Sequence, residues 1–173
     1  MEIWFFPVFL PLFAVAHGRA PQYRAFRGST HDLTNPKQPE RSPAALDLIA
    51  RARKSSPDDP LYVVAVGAIT NVSNALLLEP TIVRNIVVVW LGGNGAQWPH
   101  QHEFNFGQDL NASRTIFDSG VALVRLPCTP VVTHFTTTVP EMERYAAGRG
   151  ARCNGSVPPH FGIRPIPGAG VQR

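Results

Sequence analysis

Glu103-Phe104-Asn105 sets a carboxylate and a carboxamide two positions apart, ten residues after the glycine pair in Trp90-Leu91-Gly92-Gly93-Asn94. In an extended segment such side chains project to the same side. The carboxylate accepts hydrogen bonds and the amide both accepts and donates, a suitable grip for vicinal hydroxyls. Glycines beside them let backbone approach a ligand without Cβ interference. A second polar loop, Gly67-Ala68-Ile69-Thr70-Asn71, follows another apolar run. Taken alone, these residues predict a polar pocket.

Other chemistry-bearing residues read more plainly as structure. His100 and His102 flank Gln101 just before Glu103 and could be read as part of a zinc site, but no further ligand set with zinc spacing accompanies them. Two loop histidines outside any metal site are favoured. Cys128 and His134 lack the local signature of a nucleophilic pair, so a buried structural thiol is favoured. Asp109 is read as a helix N-cap rather than a catalytic acid. Trp90 could stack on a nucleobase, yet on an apolar strand it is more often core.

These loops need a scaffold, and the flanking pattern supplies one. From Gln22 to Glu40 the chain is polar and aperiodic, a loop. Ser42 is an N-cap candidate and Pro43 fits the first helical position, with Ala45, Leu48, Ile49 and Ala52 on one face. A helix over about 43–54 follows. Residues 61–66 form a continuous β-branched run of buried-strand character. Thr70 or Asn71 can then cap a short helix carrying Val72, Ala75 and Leu76 inward and stopping before Pro80. Residues 86–91 give a second strand, and a helix from Asp109 presents Ala112, Ile116 and Phe117 on one face. Further strands are expected over 122–126 and 131–133. This alternation predicts an α/β fold, a Rossmann-like and mostly parallel sheet with flanking helices, binding ligands at the carboxyl ends of its strands.

A length of 173 residues suits one domain, and 44% apolar with 16% charged residues suits a globular one. The net charge of +4 could favour acidic partners, but the arginines are scattered without interleaved aromatics, so nucleic-acid binding is disfavoured. Cys128 and Cys153 have no C-x-x-C character, and reduced thiols in the cytoplasm are expected. The apolar stretch from Ile3 to Ala16 carries Glu2 ahead of it and no Lys or Arg, and is too short to span a bilayer. A cytoplasmic chain without stable membrane association is preferred over a secreted one, whose sequons would be Asn71, Asn111 and Asn154. From Arg149 to Arg173 the chain is dense in Gly and Pro and reads as a disordered tail. The organisation is thus an apolar segment over 1–22, a domain over 23–148 and a tail over 149–173. An assembly of identical chains is compatible with it.

Gly67-Ala68-Ile69-Thr70-Asn71, Leu91-Gly92-Gly93-Asn94, Glu103-Phe104-Asn105 and Gln108-Asp109 occur in the order and near the spacing of the inosine-uridine-preferring nucleoside hydrolases. The stretch from Tyr23 to Tyr145 resembles the subgroup with a Trp-Leu-Gly-Gly signature and a downstream Thr-Thr-Thr-Val-Pro, here Thr136 to Pro140. The resemblance implies hydrolysis of the N-glycosidic bond of ribonucleosides to ribose and free base. It implies a calcium ion at the carboxyl ends of the strands, ligated by the backbone carbonyl of Thr70. Glu103 and Asn105 would be the ribose-binding pair and Asn94 a further ribose contact. Calcium-bound water, deprotonated by an aspartate, would attack C1′ as the base departs.

That resemblance also implies an early Asp-x-Asp-x-x-x-Asp-Asp loop and a downstream His-Asp or Trp-Asp pair. Nothing in Met1 to Ala20 matches the first, and the likeness fades after about Gly148, before the second. The catalytic aspartates therefore cannot be assigned, and weak calcium binding with little or no activity is expected of this chain alone. Two other expectations stand beside it: a non-catalytic nucleoside- or ribose-binding remnant, and a secreted interaction protein. Lacking its first strand, the sheet is also expected to expose an edge and apolar surface.

Overall fold

The computed structural model describes residues 25–145. The elements in chain order are α1 (Pro43–Ala52), β1 (Leu61–Ala65), α2 (Thr70–Leu78), a 3-10 turn (Pro80–Arg84), β2 (Ile86–Leu91), α3 (Phe104–Gln108), α4 (Leu110–Asp118), β3 (Ala122–Leu126), a second 3-10 turn (Val132–His134) and α5 (Val139–Tyr145). The expected apolar segment over 1–22 and disordered tail over 149–173 lie outside the described residues. Ser42 caps α1 by accepting a hydrogen bond from the Ala45 amide at 3.2 Å, with Pro43 leading the helix.

The three strands lie in the order β1-β2-β3, and both pairings are parallel. Val63 is in register with Val88, and Val88 with Leu123. Two successive crossovers in the same direction put their helices on the same face of the sheet. There α1 packs on α2 and α2 on α4. The side chains alternating toward that face, Val63, Ala65, Val88 and Trp90, are buried with Leu48, Ile49, Val72, Ala75 and Ile116 in one cluster. Each fully buried aliphatic side chain of this kind contributes about 1.5–3 kcal/mol relative to exposure.

Several expectations need correction. Neither Thr70 nor Asn71 caps α2: the N-cap is Ile69, which has no side chain able to cap. Asn71 instead turns its Oδ1 to the Ser29 amide, the Ser29 hydroxyl and the Ser42 hydroxyl, at 2.8, 3.0 and 2.9 Å. On α4, Ala112 and Ile116 are buried as expected, but Phe117 is 48% exposed. Residues 131–133 do not form a strand; a 3-10 turn spans Val132–His134, so β3 ends the described sheet.

Candidate functional site

Because all three strands run parallel, their carboxyl ends gather the loops after Ala65, Leu91 and Leu126 at one edge. Trp90 ties the first two together. Its ring is fully buried, stacks on Phe106 with 5.9 Å between centroids, and donates from Nε1 to the Gly67 carbonyl at 2.9 Å. Trp90 is core, as its strand position suggests. Gly92 has to be glycine above it, since an added Cβ would lie 2.4 Å from the indole. Gly93 then takes a positive φ of 72°, a conformation glycine adopts without strain.

The Glu103–Asn105 pair is positioned differently from the extended segment expected. Glu103 is itself extended, but α3 starts at Phe104, so Glu103 is its N-cap and Asn105 lies in its first turn. Glu103 Oε1 accepts from the Asn105 amide at 3.0 Å; Oε2 accepts from the Phe106 amide at 3.0 Å and the Gly93 amide at 2.8 Å. Asn105 is buried, and its Nδ2 donates to the Leu91 carbonyl at 3.0 Å. Both side chains therefore meet the end of β2. A carboxylate has about four lone-pair sites, so Glu103 keeps acceptor capacity on Oε1. Asn105 Oδ1 accepts no hydrogen bond from the described residues.

Asn94 joins the same cluster. It is buried, donates from Nδ2 to the His100 carbonyl at 3.2 Å and accepts at Oδ1 from the Thr129 amide at 3.3 Å. Its own amide donates to Gln101 Oε1 at 3.0 Å. The imidazoles of His100 and His102 stand edge to face with 5.2 Å between centroids, and both are exposed. His134 is exposed too, on the 3-10 turn after Cys128. Cys128 is only half-buried, where full burial was expected. Burial, and secondarily the charge of Glu103, push its thiol above the ordinary cysteine range.

Thr70 belongs to a second cluster. Its hydroxyl donates to Asp109 Oδ2 at 2.6 Å, an oxygen that also accepts from the Leu33 amide at 2.7 Å. Asp109 Oδ1 accepts from the Ala112 amide at 3.0 Å, the N-cap role expected of it. Calcium takes six to eight oxygen ligands, several of them charged. The Thr70 carbonyl opens a helix, and both oxygens of the adjacent Asp109 are engaged by protein donors. Among the described residues no group of three or more His, Cys, Asp or Glu could hold a metal ion. These residues do not by themselves assemble a calcium shell.

Sequence reasoning passed over Gln101 and Arg125. Arg125 Nη1 donates to Gln101 Oε1 at 3.2 Å across 24 residues of chain, a contact that no local spacing announces.

A three-stranded parallel sheet with helices packed on it and polar, glycine-bearing loops at its carboxyl edge defines an α/β protein, a class whose ligands generally bind at that edge. The chain belongs to the inosine-uridine preferring nucleoside hydrolase family, whose sequence model matches residues 14–161. It is 35% identical over 100 residues to the pyrimidine-specific ribonucleoside hydrolase RihA of Citrobacter koseri, covering 53% of this chain and 32% of that protein. It is 32% identical over 122 residues to RihA of Klebsiella pneumoniae, covering 65% of this chain and 38% of that one. The chain thus spans about a third of the length of the curated relatives it matches. In fold it is similar to a plant nucleoside hydrolase, PpNRh1, with a TM-score of 0.56, 22% identity, and coverage of 70% of this chain and 46% of that one. It is also similar to the inosine-uridine preferring nucleoside hydrolase of Bacillus anthracis, with a TM-score of 0.51, 20% identity, and coverage of 62% and 37%.

Proposed function

We propose that this chain carries the ribose-gripping part of a ribonucleoside hydrolase, with Glu103 and Asn105 accepting hydrogen bonds from sugar hydroxyls and Asn94 shaping the loop beside them. The observation that carries this reading is the convergence of Glu103 and Asn105 on the end of β2, each with an unused acceptor site. Vicinal hydroxyls donate to such acceptors. As the glycosidic bond breaks, positive charge develops at the anomeric carbon, and a fixed carboxylate beside the sugar stabilises it. Ribonucleoside is the substrate class, and a cytoplasmic location fits the cysteine usage. The Thr70 carbonyl is this stretch's candidate contribution to a calcium site, and the residues that would activate water are not among those assigned.

Binding without turnover is the second reading. It is favoured by the three backbone amides that hold the Glu103 carboxylate as a fixed acceptor. The test is titration of the full chain with inosine and uridine, alongside Asn105→Ala, and assay of base release with calcium and with chelator. Saturable binding weakened about tenfold in the variant, the effect of one good hydrogen bond, is expected. Equal binding by a folded variant rejects the ribose role, and calcium-dependent base release separates hydrolase from binder.

A further inference from the structure

Arg125 is the penultimate residue of β3, in register with Trp90 on β2. Its side chain is half-buried, and none of the ion pairs among the described residues includes it. Its partner is a neutral oxygen, Gln101 Oε1, at 3.2 Å. The same oxygen accepts from the Asn94 amide at 3.0 Å, and Gln101 Nε2 reaches the Gly95 carbonyl at 3.4 Å. A Cβ placed on Gly93 would lie 2.9 Å from Gln101 Oε1 and 3.0 Å from Arg125 Nη1. Gln101 and Arg125 therefore pack directly against Gly93, whose amide donates to Glu103 Oε2 at 2.8 Å beside that of Phe106 at 3.0 Å.

From this arrangement we propose that Gln101 and Arg125 are positioning residues for the sugar site: one glutamine oxygen, fixed by the guanidinium, pins the Gly93–Asn94 backbone so that the Gly93 amide occupies Glu103 Oε2. Glu103 Oε1 is thereby left turned to the ligand. A charged donor makes the Gln101 link stronger than a neutral one and holds the oxygen in place. Joining the β2 loop to the end of β3 also limits movement of a glycine-rich segment that would otherwise open locally. The role rests on the ribose reading, because without a sugar there is nothing for Glu103 Oε1 to meet.

The experiment compares Gln101→Ala, Arg125→Met and Gln101→Glu in the full chain, reading amide hydrogen exchange at Gly93 and Asn94 together with inosine affinity. Gln101→Glu keeps the acceptor oxygen for both donors. The expected result is exchange at these two amides faster by about tenfold or more in the first two variants, with Val88 in β2 unchanged. Inosine affinity falls with it, and Gln101→Glu restores both. Unchanged exchange, or a glutamate variant as impaired as the alanine one, overturns the clamp. A wild-type chain that protects both amides yet binds no inosine overturns the role through its premise, leaving the exchange signature intact, so the two failures are told apart.

Discussion

At the scale of single residues, two of the acids act first as anchors for the surrounding fold. Glu103 and Asp109 each accept three hydrogen bonds from protein donors and each caps a helix. What distinguishes Glu103 is its neighbourhood of glycine backbone and a buried amide with a spare oxygen. Cys128 reports on its charge. Burial and then Glu103 raise the thiol's pKa, so less thiolate is present at a given pH and the nucleophile is scarce. Alkylation of Cys128 near pH 8, followed by mass spectrometry of its peptide, is expected to run slower than in a free cysteine peptide. Glu103→Gln removes only the lesser cause, so the rate rises but stays below that of the peptide; an unchanged rate would detach Glu103 from this thiol.

At the scale of elements, the start of α1 and the body of α2 are joined through Asn71. One amide oxygen takes the Ser29 amide, the Ser29 hydroxyl and the Ser42 hydroxyl, while Ser42 also caps α1. Asn74 adds its own link, accepting from the Glu40 amide at 3.1 Å and donating to Ser29 at 2.9 Å. Asn71→Ala leaves buried donors unpaired and is expected to cost about 1–3 kcal/mol, measured by urea denaturation with the slope unchanged. A loss under about 0.5 kcal/mol would show that water replaces the amide. Asn71 is 8% exposed with its side-chain oxygen engaged, so in the folded chain this amide is turned into the protein. Ser42-Pro43 was legible as a helix start because a cap works within three residues. The role of Asn71 was not, because its partners lie 29 and 42 residues away.

At the scale of the molecule, the sheet is buried on one face only among the described residues. Tyr62, Val124 and Leu126 stay 44%, 48% and 38% exposed on the other. Parallel sheets are ordinarily covered on both faces, and among the described residues nothing buries these three side chains. Val124→Lys is expected to lower dye binding by exposed apolar surface and the aggregate fraction in gel filtration while changing stability by less than about 0.5 kcal/mol. A large loss of stability would mean that Val124 is covered in solution.

The sequence by itself determined α1, β1, α2, β2, α4 and β3 in their order, the parallel sheet and the candidate pair Glu103 and Asn105, but announced neither α3 nor α5. Helical and strand periodicity, caps and glycine turns depend on neighbours a few positions apart, and these can be read along the chain. The tertiary structure alone decided which acceptor oxygens take protein donors and which do not. Gln101 meeting Arg125, Asn105 meeting Leu91, and Asp109 meeting both Thr70 and Leu33 all follow from how strands and helices pack. Hydrogen-bond partners in a folded core are chosen by proximity in space, and only the packing of the elements brings those distant residues together.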